Sequence, residues 1–312
     1  MQPLRTSTLI LISLAATVVF YAGLALMLAS HEPWLHSVAG AHASLAERIG
    51  SQLQGGVRAA AFTIAVGMGL FLAYRILANG ILATRRIAPD PAPRSQVARE
   101  VLLCVNALLA TGAQGAVYAI LREAGYSRRY DDIAQHGWAY AIFSALVFLI
   151  LYDAWSYFWH VAYHRLDALY RVSHNVHHLS VVTTPWTTFQ GSPIELLPAT
   201  IFSAIMAATL PLATPVLVAI MVGTLVYTMM QHGGLEFFPR GTATHPLGRW
   251  LVTPTYHQMH HEDGDRNIAL YFNWWDRLMG TKSAGYEARF EKVTAPAVRS
   301  SVPSPQEGAA RA

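Results

Sequence analysis

The sequence predicts an all-α membrane protein with about four transmembrane helices, an apolar helical hairpin, and a cytosolic His-rich helical cap that holds a dimetal site. Two observations support this prediction. The 312-residue chain is 53% hydrophobic and only 13% charged, whereas soluble domains carry about 25% charged residues. In addition, most of its histidines fall into three short segments in the second half of the chain.

Four apolar segments approach or exceed the length of about 20 residues that a membrane-spanning helix needs. They cover residues 6–30, 59–83, 101–121 and 137–159. The first contains no charged residue and is too long for the core of a signal peptide, so we expect it to be retained. Arg75 interrupts the second, where its side chain could snorkel or pair.

Two further apolar segments, 196–212 and 216–230, are separated by the sequence "PLATP". Each is short for a membrane span. The sequence therefore predicts a helical hairpin that either crosses the bilayer or only dips into it.

Arginine distribution indicates the topology. The 85–100 loop contains four arginines and two acidic residues, whereas the 31–58 and 122–136 loops are balanced in charge. Under the positive-inside rule the 85–100 loop is cytosolic, and every histidine segment then meets at the cytosolic face. Low lysine with abundant alanine and arginine favours a bacterial protein of the cytoplasmic membrane. The expected units are 1–136 (transmembrane helices), 137–283 (catalytic domain) and 284–312 (mobile tail).

Composition also excludes several classes of function. The net charge is +4, but the arginines are spread over loops without a basic stripe, so no nucleic-acid partner is expected. Cys104 is the only cysteine, which rules out an intrachain disulfide and a cysteine-based zinc site. Any metal must therefore be held by other side chains.

The spacing of the histidines predicts a metal site. On a helix, residues four apart project within about 40° of each other, and the three histidines of an H-x-x-H-H segment share one face. Single histidines are usually surface or core residues, an interpretation that suits His31, His36, His42 and His136. Eight imidazoles beside a bilayer instead indicate metal binding. They are His160, His164, His174, His177, His178, His257, His260 and His261.

Two more histidines and several acidic residues are further candidates. His232, at the end of the hairpin, is favoured over His245 as an additional ligand. Asp153 lies about 10 Å along the helix from His160, so it either orients a histidine of another segment or is a polar residue at the membrane exit. The remaining acidic residues are expected to be solvated loop charges: Glu262, Asp263, Asp265 and Asp276.

Eight or more imidazoles suggest two ions with four or five nitrogen ligands each. Imidazole binds iron, zinc, copper and nickel, so spacing alone does not identify the element. The Glu-x-x-His segments of bundle di-iron proteins and the H-E-x-x-H signature of zinc peptidases are missing.

Four motifs carry a family resemblance: "WHVAYH", "SHNVHH", "QHGG" and "TPTYHQMHHEDGDRNIALYFNWWDRLMGT". Between about residues 153 and 281 the chain resembles the fatty acid hydroxylase/sterol desaturase superfamily of integral-membrane di-iron enzymes, and its ending is most similar to sterol methyl oxidases. There are two departures. Val161 replaces the usual arginine, and Ser192-Pro193-Ile194-Glu195 replaces the frequent His-Pro-x-Glu.

The resemblance implies an O2-dependent oxidoreductase with two iron ions that hydroxylates or desaturates an unactivated C–H bond of a membrane lipid, sterol-like or fatty-acyl. The implied metal ligands are the eight histidines above together with His232. Electrons are expected from a separate donor, a reductase, ferredoxin or cytochrome. Two alternatives remain at this point: a zinc-dependent membrane hydrolase, and a His-rich metal or haem carrier.

Overall fold

The computed structural model describes residues 65–74, 76–80 and 82–296, and these residues form helices without a β-strand. The predicted span at 6–30 lies outside the described residues. Residues 65–74 and 76–79 are helical. The later helices are α1 (Arg94–Glu123), α2 (Gly137–Arg165), α3 (Asp167–Val172), α4 (Asn175–His178), α5 (Pro193–Thr209), α6 (Thr214–Gln231), α7 (Pro254–Glu262), α8 (Trp274–Met279) and α9 (Tyr286–Val293).

Two of the described helices, α2 and α6, are long and apolar enough to cross a membrane. Only 28% and 17% of their most apolar stretches are buried inside the protein. The core helix of a soluble protein would be mostly buried, so these outward faces favour contact with lipid. The number of crossings and the cytosolic position of the cap stay predictions.

Helix α2 is long enough to carry its two histidines beyond its apolar part. Its 29 residues extend about 43 Å at 1.5 Å per residue, compared with a hydrocarbon thickness of about 30 Å. The last two turns of α2 carry His160 and His164. One straight helix can therefore cross the bilayer and still present both imidazoles at its edge.

The two apolar helices of the predicted hairpin, α5 and α6, are joined by residues 210–213. They pack with α2 around a cluster of five buried side chains: Phe148, Phe202, Met206, Leu212 and Leu217. The indole N–H of Trp155 on α2 also donates to the carbonyl oxygen of Pro198 on α5, at 2.9 Å. These contacts fix the start of α5 beside the last turns of α2.

A buried carboxylate connects α1 to the segment that follows the second histidine motif. Glu100 is fully buried on α1 and accepts hydrogen bonds from Ser180, Thr184 and Thr187. Gln96, one turn earlier on α1, donates to Glu100 and to the carbonyl oxygen of Val182. Residues 180–187 are therefore held against α1 by polar contacts that leave little freedom of position.

The cap has its own apolar core and includes part of the predicted tail. Tyr256, Ile268, Tyr286 and Phe290 are almost fully buried in one cluster with Tyr157 of α2. Residues 286–293, expected to be mobile, form α9, so the prediction is wrong for them. Its physical reason is that Tyr286 and Phe290, four apart on one helical face, bury their rings in the cap. Residues 297–312 lie outside the described residues.

Loss of the Phe290 ring is expected to destabilise the cap. Phe290→Ala removes a fully buried aromatic side chain, which costs about 3–5 kcal/mol in unfolding free energy. Denaturant unfolding in detergent, followed by tryptophan fluorescence, measures the loss. Lys292→Ala, on the exposed face of the same helix, is the control. Equal stability of both variants would contradict the packing of α9.

Candidate metal centre

The structure brings nine histidines together in two adjacent groups. In each group one nitrogen per residue lies within 4.8 Å of the corresponding nitrogens of the others. The five-histidine cluster comprises His160, His164, His174, His178 and His260. The four-histidine cluster comprises His177, His232, His257 and His261.

Each H-x-x-H-H motif is divided between the two clusters. The neighbours His177 and His178 belong to different clusters, and so do His260 and His261. Adjacent residues of a helix project about 100° apart, so one short helix can supply nitrogens to two points. The expectation that each motif presents all its nitrogens in one direction is therefore wrong, and both clusters depend on α4 and α7 together.

The five-histidine cluster is centred on His174. Its Nε2 atom lies 2.9 Å from Nε2 of His160 and 3.0 Å from Nε2 of His178. The Nε2 atoms of His164 and His260 are buried and have no hydrogen-bond partner. All five side chains thus direct a nitrogen into one small volume.

The four-histidine cluster also consists of closely spaced ring nitrogens. Nε2 of His232 lies 3.2 Å from Nε2 of His177 and 2.9 Å from Nε2 of His257. Both ring nitrogens of His261 are buried without a partner. Its ring centroid is 4.7 Å from that of His177, so it completes the ring of imidazoles around this second point.

Hydrogen bonds on the outer side define the tautomer of several rings. The Nδ1 atoms of His160, His177 and His260 lie 2.7, 2.9 and 2.8 Å from the carbonyl oxygens of Ile268, Gln190 and Arg266. Nδ1 of His232 contacts the carbonyl oxygen of Thr228 at 2.8 Å. A carbonyl oxygen only accepts, so Nδ1 carries the proton in each ring and Nε2 carries the lone pair.

These tautomers make the inward contacts unfavourable for the protein alone. Two lone pairs about 3 Å apart repel each other, and buried polar atoms without partners cost about 1–3 kcal/mol each. A shared cation removes both penalties. Nitrogen-only donor sets suit first-row transition metals, whereas magnesium and calcium prefer oxygen. The residues present therefore fit two transition-metal ions.

Burial keeps the imidazoles outside the apolar helices neutral. Desolvation lowers the pKa of His177 to about 4 and that of His232 to about 3. The pKa values of His174, His257 and His260 are lowered further by burial and by the other histidines. Only neutral imidazole binds a metal ion, so these ligands are ready to bind at neutral pH.

Two acidic residues lie outside the positions expected for them. Asp153 is fully buried and accepts hydrogen bonds from the backbone N–H groups of Tyr271 and Phe272 and from the indole of Trp274. The expectation that it orients a histidine is therefore wrong, because its oxygens hold the 271–274 segment instead. Asp276, expected to be solvated, is also fully buried.

Glu195 is the site residue that the sequence analysis missed. Its Oε1 atom lies 2.8 Å from Nδ1 of His174. The available signal was the Ser192–Glu195 spacing, which is a capping box at the start of α5. That pattern places a carboxylate at the helix N-terminus but does not reveal which histidine lies next to it.

The other candidates lie outside the clusters. His245 is exposed, and its Nδ1 accepts hydrogen bonds from the backbone N–H groups of Leu247 and Gly248. His136 is exposed at the start of α2. Asp263 and Asp265 are exposed after α7, as predicted for solvated charges. Glu262, at the end of α7, is exposed but pairs with Arg289.

Substitution of Gly264 is expected to displace His164. A Cβ atom at this position would lie 2.9 Å from Cε1 and 3.0 Å from Nδ1 of the His164 ring, closer than carbon atoms pack. Gly264→Ala should therefore weaken metal binding by the five-histidine cluster, measured as metal content after dialysis against a chelator. Gly285→Ala is the control, because nothing lies within 4 Å of its Cβ position. Equal metal retention by both variants would contradict the close approach of Gly264.

The metal-free protein is expected to lose stability in acid. His177 has a pKa of about 4 in the folded chain and an ordinary value of about 6.5 when unfolded. Below pH 6.5 the unfolded chain gains a proton that the folded chain does not bind until about pH 4, so stability falls across this interval. One such group accounts for about 3 kcal/mol.

Chelator-treated protein in detergent, unfolded with denaturant at pH 7.5, 5.5 and 4.5, measures this loss. His136→Gln, which changes an exposed ring, should leave the pH dependence unchanged. A free energy of unfolding that stays constant between pH 7.5 and 4.5 would contradict burial of neutral imidazoles.

Comparisons with known proteins agree with this geometry. Residues 145–281, which contain all nine clustered histidines, match the family model described as Fatty acid hydroxylase. The chain is 31% identical to cholesterol 25-hydroxylase of Rattus norvegicus over 139 residues, 44% of this chain and 45% of the relative. It is 29% identical to lathosterol oxidase of Rattus norvegicus over 191 residues, 60% of this chain and 62% of the relative.

A third relative is the Delta(7)-sterol 5(6)-desaturase of Gibberella zeae, 24% identical over 160 residues, 51% of this chain and 48% of the relative. The matches thus span about half of the length of these curated relatives. No solved structure matches the chain. Through residues 145–281, the chain is thus similar to the family described as Fatty acid hydroxylase and to relatives named as sterol hydroxylases, oxidases and desaturases.

Proposed function

We propose that this protein is an O2-dependent di-iron oxidoreductase that hydroxylates or desaturates an unactivated C–H bond of a membrane lipid. The observation that carries the proposal is the pair of adjacent, buried histidine clusters inside the segment that matches the family model. A single structural ion needs only four ligands. Nine converging imidazoles support two ions held side by side.

Iron ions in these clusters would supply the activation of O2 and the abstraction of hydrogen from the lipid. His160, His164, His174, His178 and His260 would hold one ion, and His177, His232, His257 and His261 the other. The protein's own contribution is orientation, since the outer hydrogen bonds of four rings keep their Nε2 lone pairs directed inward.

A lipid substrate is supported by the position of the clusters at the ends of the apolar helices. His160 and His164 belong to α2 itself, and His232 directly follows α6. An alkyl chain or ring lying between these helices could approach the clusters without leaving an apolar environment. A sterol-like substrate is favoured over a fatty acyl chain, because the relatives described above are named as sterol enzymes.

The reaction requires an external reductant. Hydroxylation consumes one O2, two electrons and two protons, and yields the alcohol and one water. Desaturation consumes the same reactants and yields the double bond and two waters. We propose that a separate reductase, ferredoxin or cytochrome supplies the electrons at the cytosolic face of a bacterial cytoplasmic membrane. The charge balance of the 85–100 loop supports that orientation.

Metal analysis combined with lipid mass spectrometry tests the proposal. The purified protein should contain two iron ions per chain, and membranes that contain it should gain a lipid with one additional oxygen or two fewer hydrogens, only in the presence of O2. His260→Ala should lose iron and this product while still inserting into membranes. His245→Ala, which changes an exposed histidine outside the clusters, should keep both. Stoichiometric zinc, with lipid cleaved by water in the absence of O2, would instead indicate a hydrolase.

A further inference from the structure

The two clusters differ in the groups that lie behind their imidazoles. We propose that two carboxylates, the largely covered Glu195 and the buried Asp276, make the five-histidine cluster the stronger donor and the tighter of the two metal sites, with Glu195 as its positioning residue. This inference rests on the proposed function, because it assumes that each cluster binds a metal ion.

Glu195 is held in a single orientation against His174. Its side chain is only 15% exposed, and its Oε1 atom lies 2.8 Å from Nδ1 of His174. The other oxygen, Oε2, accepts from the backbone N–H of Ser192 at the start of α5. The carboxylate also lies against Gly191, where a Cβ atom would come within 3.0 Å of Oε2. It therefore has little freedom to turn away from the imidazole.

His174 contacts two other rings of this cluster through its inward nitrogen. Its Nε2 atom is the one that contacts the Nε2 atoms of both His160 and His178. The Tyr163 ring stacks on the imidazole at 5.3 Å between centroids, and the Tyr163 hydroxyl donates to the carbonyl oxygen of Glu195. The same tyrosine thus contacts the imidazole and the backbone of Glu195.

Asp276 acts on His160 through one peptide group. The peptide between residues 268 and 269 donates its N–H, from Ala269, to Oδ2 of Asp276 at 2.9 Å. The carbonyl oxygen of the same peptide, from Ile268, accepts the Nδ1 proton of His160 at 2.7 Å. Hydrogen bonds in a chain polarise one another, so the carboxylate increases the negative charge on the oxygen that faces His160.

Four donors keep Asp276 in this position. Besides Ala269, its oxygens accept from the backbone N–H of Ile268, the Tyr256 hydroxyl and the Thr281 hydroxyl. These four bonds match the four lone-pair positions of an ionised carboxylate. Asp276 is therefore a fixed negative charge one peptide group away from a histidine of the five-histidine cluster.

No comparable carboxylate contacts the four-histidine cluster among the hydrogen bonds of the described residues. His177 donates to the carbonyl oxygen of Gln190, and His232 to that of Thr228. Its nearest buried acid in sequence, Glu236, instead accepts from Thr255 and Phe238. The imidazoles of this cluster are therefore supported by neutral acceptors or by none.

This difference should produce unequal metal affinities. A carboxylate that accepts the outer proton makes an imidazole a stronger ligand, and loss of such a partner typically lowers metal affinity by about 10–100-fold.

Cobalt(II) titration of the metal-free protein tests this inference. Binding in detergent is followed by the visible absorption of the cobalt ion against a competing chelator, for the wild type, Glu195→Gln and Glu236→Gln. Glutamine keeps the shape of the side chain and can still cap α5, so Glu195→Gln removes mainly the charge. Glu236→Gln is a matched control, since Glu236 is also buried and accepts from the first turn of a helix. His257→Ala disables the four-histidine cluster, so the cobalt-binding step that remains in this variant belongs to the five-histidine cluster.

The wild type is expected to bind two cobalt ions in separate steps. In Glu195→Gln the affinity of the tighter step should fall by about 10-fold or more, with a shift in the absorption of that ion alone, and the same loss should appear in the His257→Ala background. Glu236→Gln should leave both spectra unchanged. This inference is overturned if two ions bind and Glu195→Gln changes the affinities of both binding steps equally or changes neither. The proposed function would then stand. A wild type that binds no cobalt would overturn both.

Discussion

The outer hydrogen bonds of the histidine rings are the constraint on which the rest of this site depends. An imidazole that donates from Nδ1 must present a lone pair at Nε2. Backbone carbonyl groups of Ile268, Gln190, Arg266 and Thr228 fix this arrangement for four rings. The inward nitrogens then cannot satisfy one another, and a shared metal ion is the partner that resolves the conflict.

The fold supplies these acceptors from parts of the chain that are held in place by other buried polar groups. Asp153 and Asp276 accept four backbone N–H groups of the 268–272 segment, and the carbonyl oxygen of Ile268 in the same segment faces His160. Glu100 holds residues 180–187 against α1 in a similar way. Buried carboxylates behind the rings therefore help to set the positions of the ligands, and the clusters lie at the ends of the apolar helices α2 and α6.

The sequence predicts the helices and the histidine motifs because both signals are local. Apolar runs mark α2, α5 and α6, and the helical period places the histidines of each motif near one another. The sequence does not predict that the histidines divide into a cluster of five and a cluster of four, because that division depends on how α4 and α7 face each other across the fold. It also misses Glu195, Asp276 and α9, whose burial arises from contacts between distant segments. A backbone carbonyl acceptor such as that of Ile268 has no sequence signal at all.

The central claim is that the two histidine clusters each hold one metal ion. Anomalous diffraction at the iron absorption edge, from crystals of the iron-loaded protein, tests it most directly. The account predicts two peaks, one bounded by Nε2 atoms of the five-histidine cluster and one by nitrogens of the four-histidine cluster, at metal–nitrogen distances of about 2.0–2.2 Å. A single peak, or peaks outside these nitrogens, would contradict it.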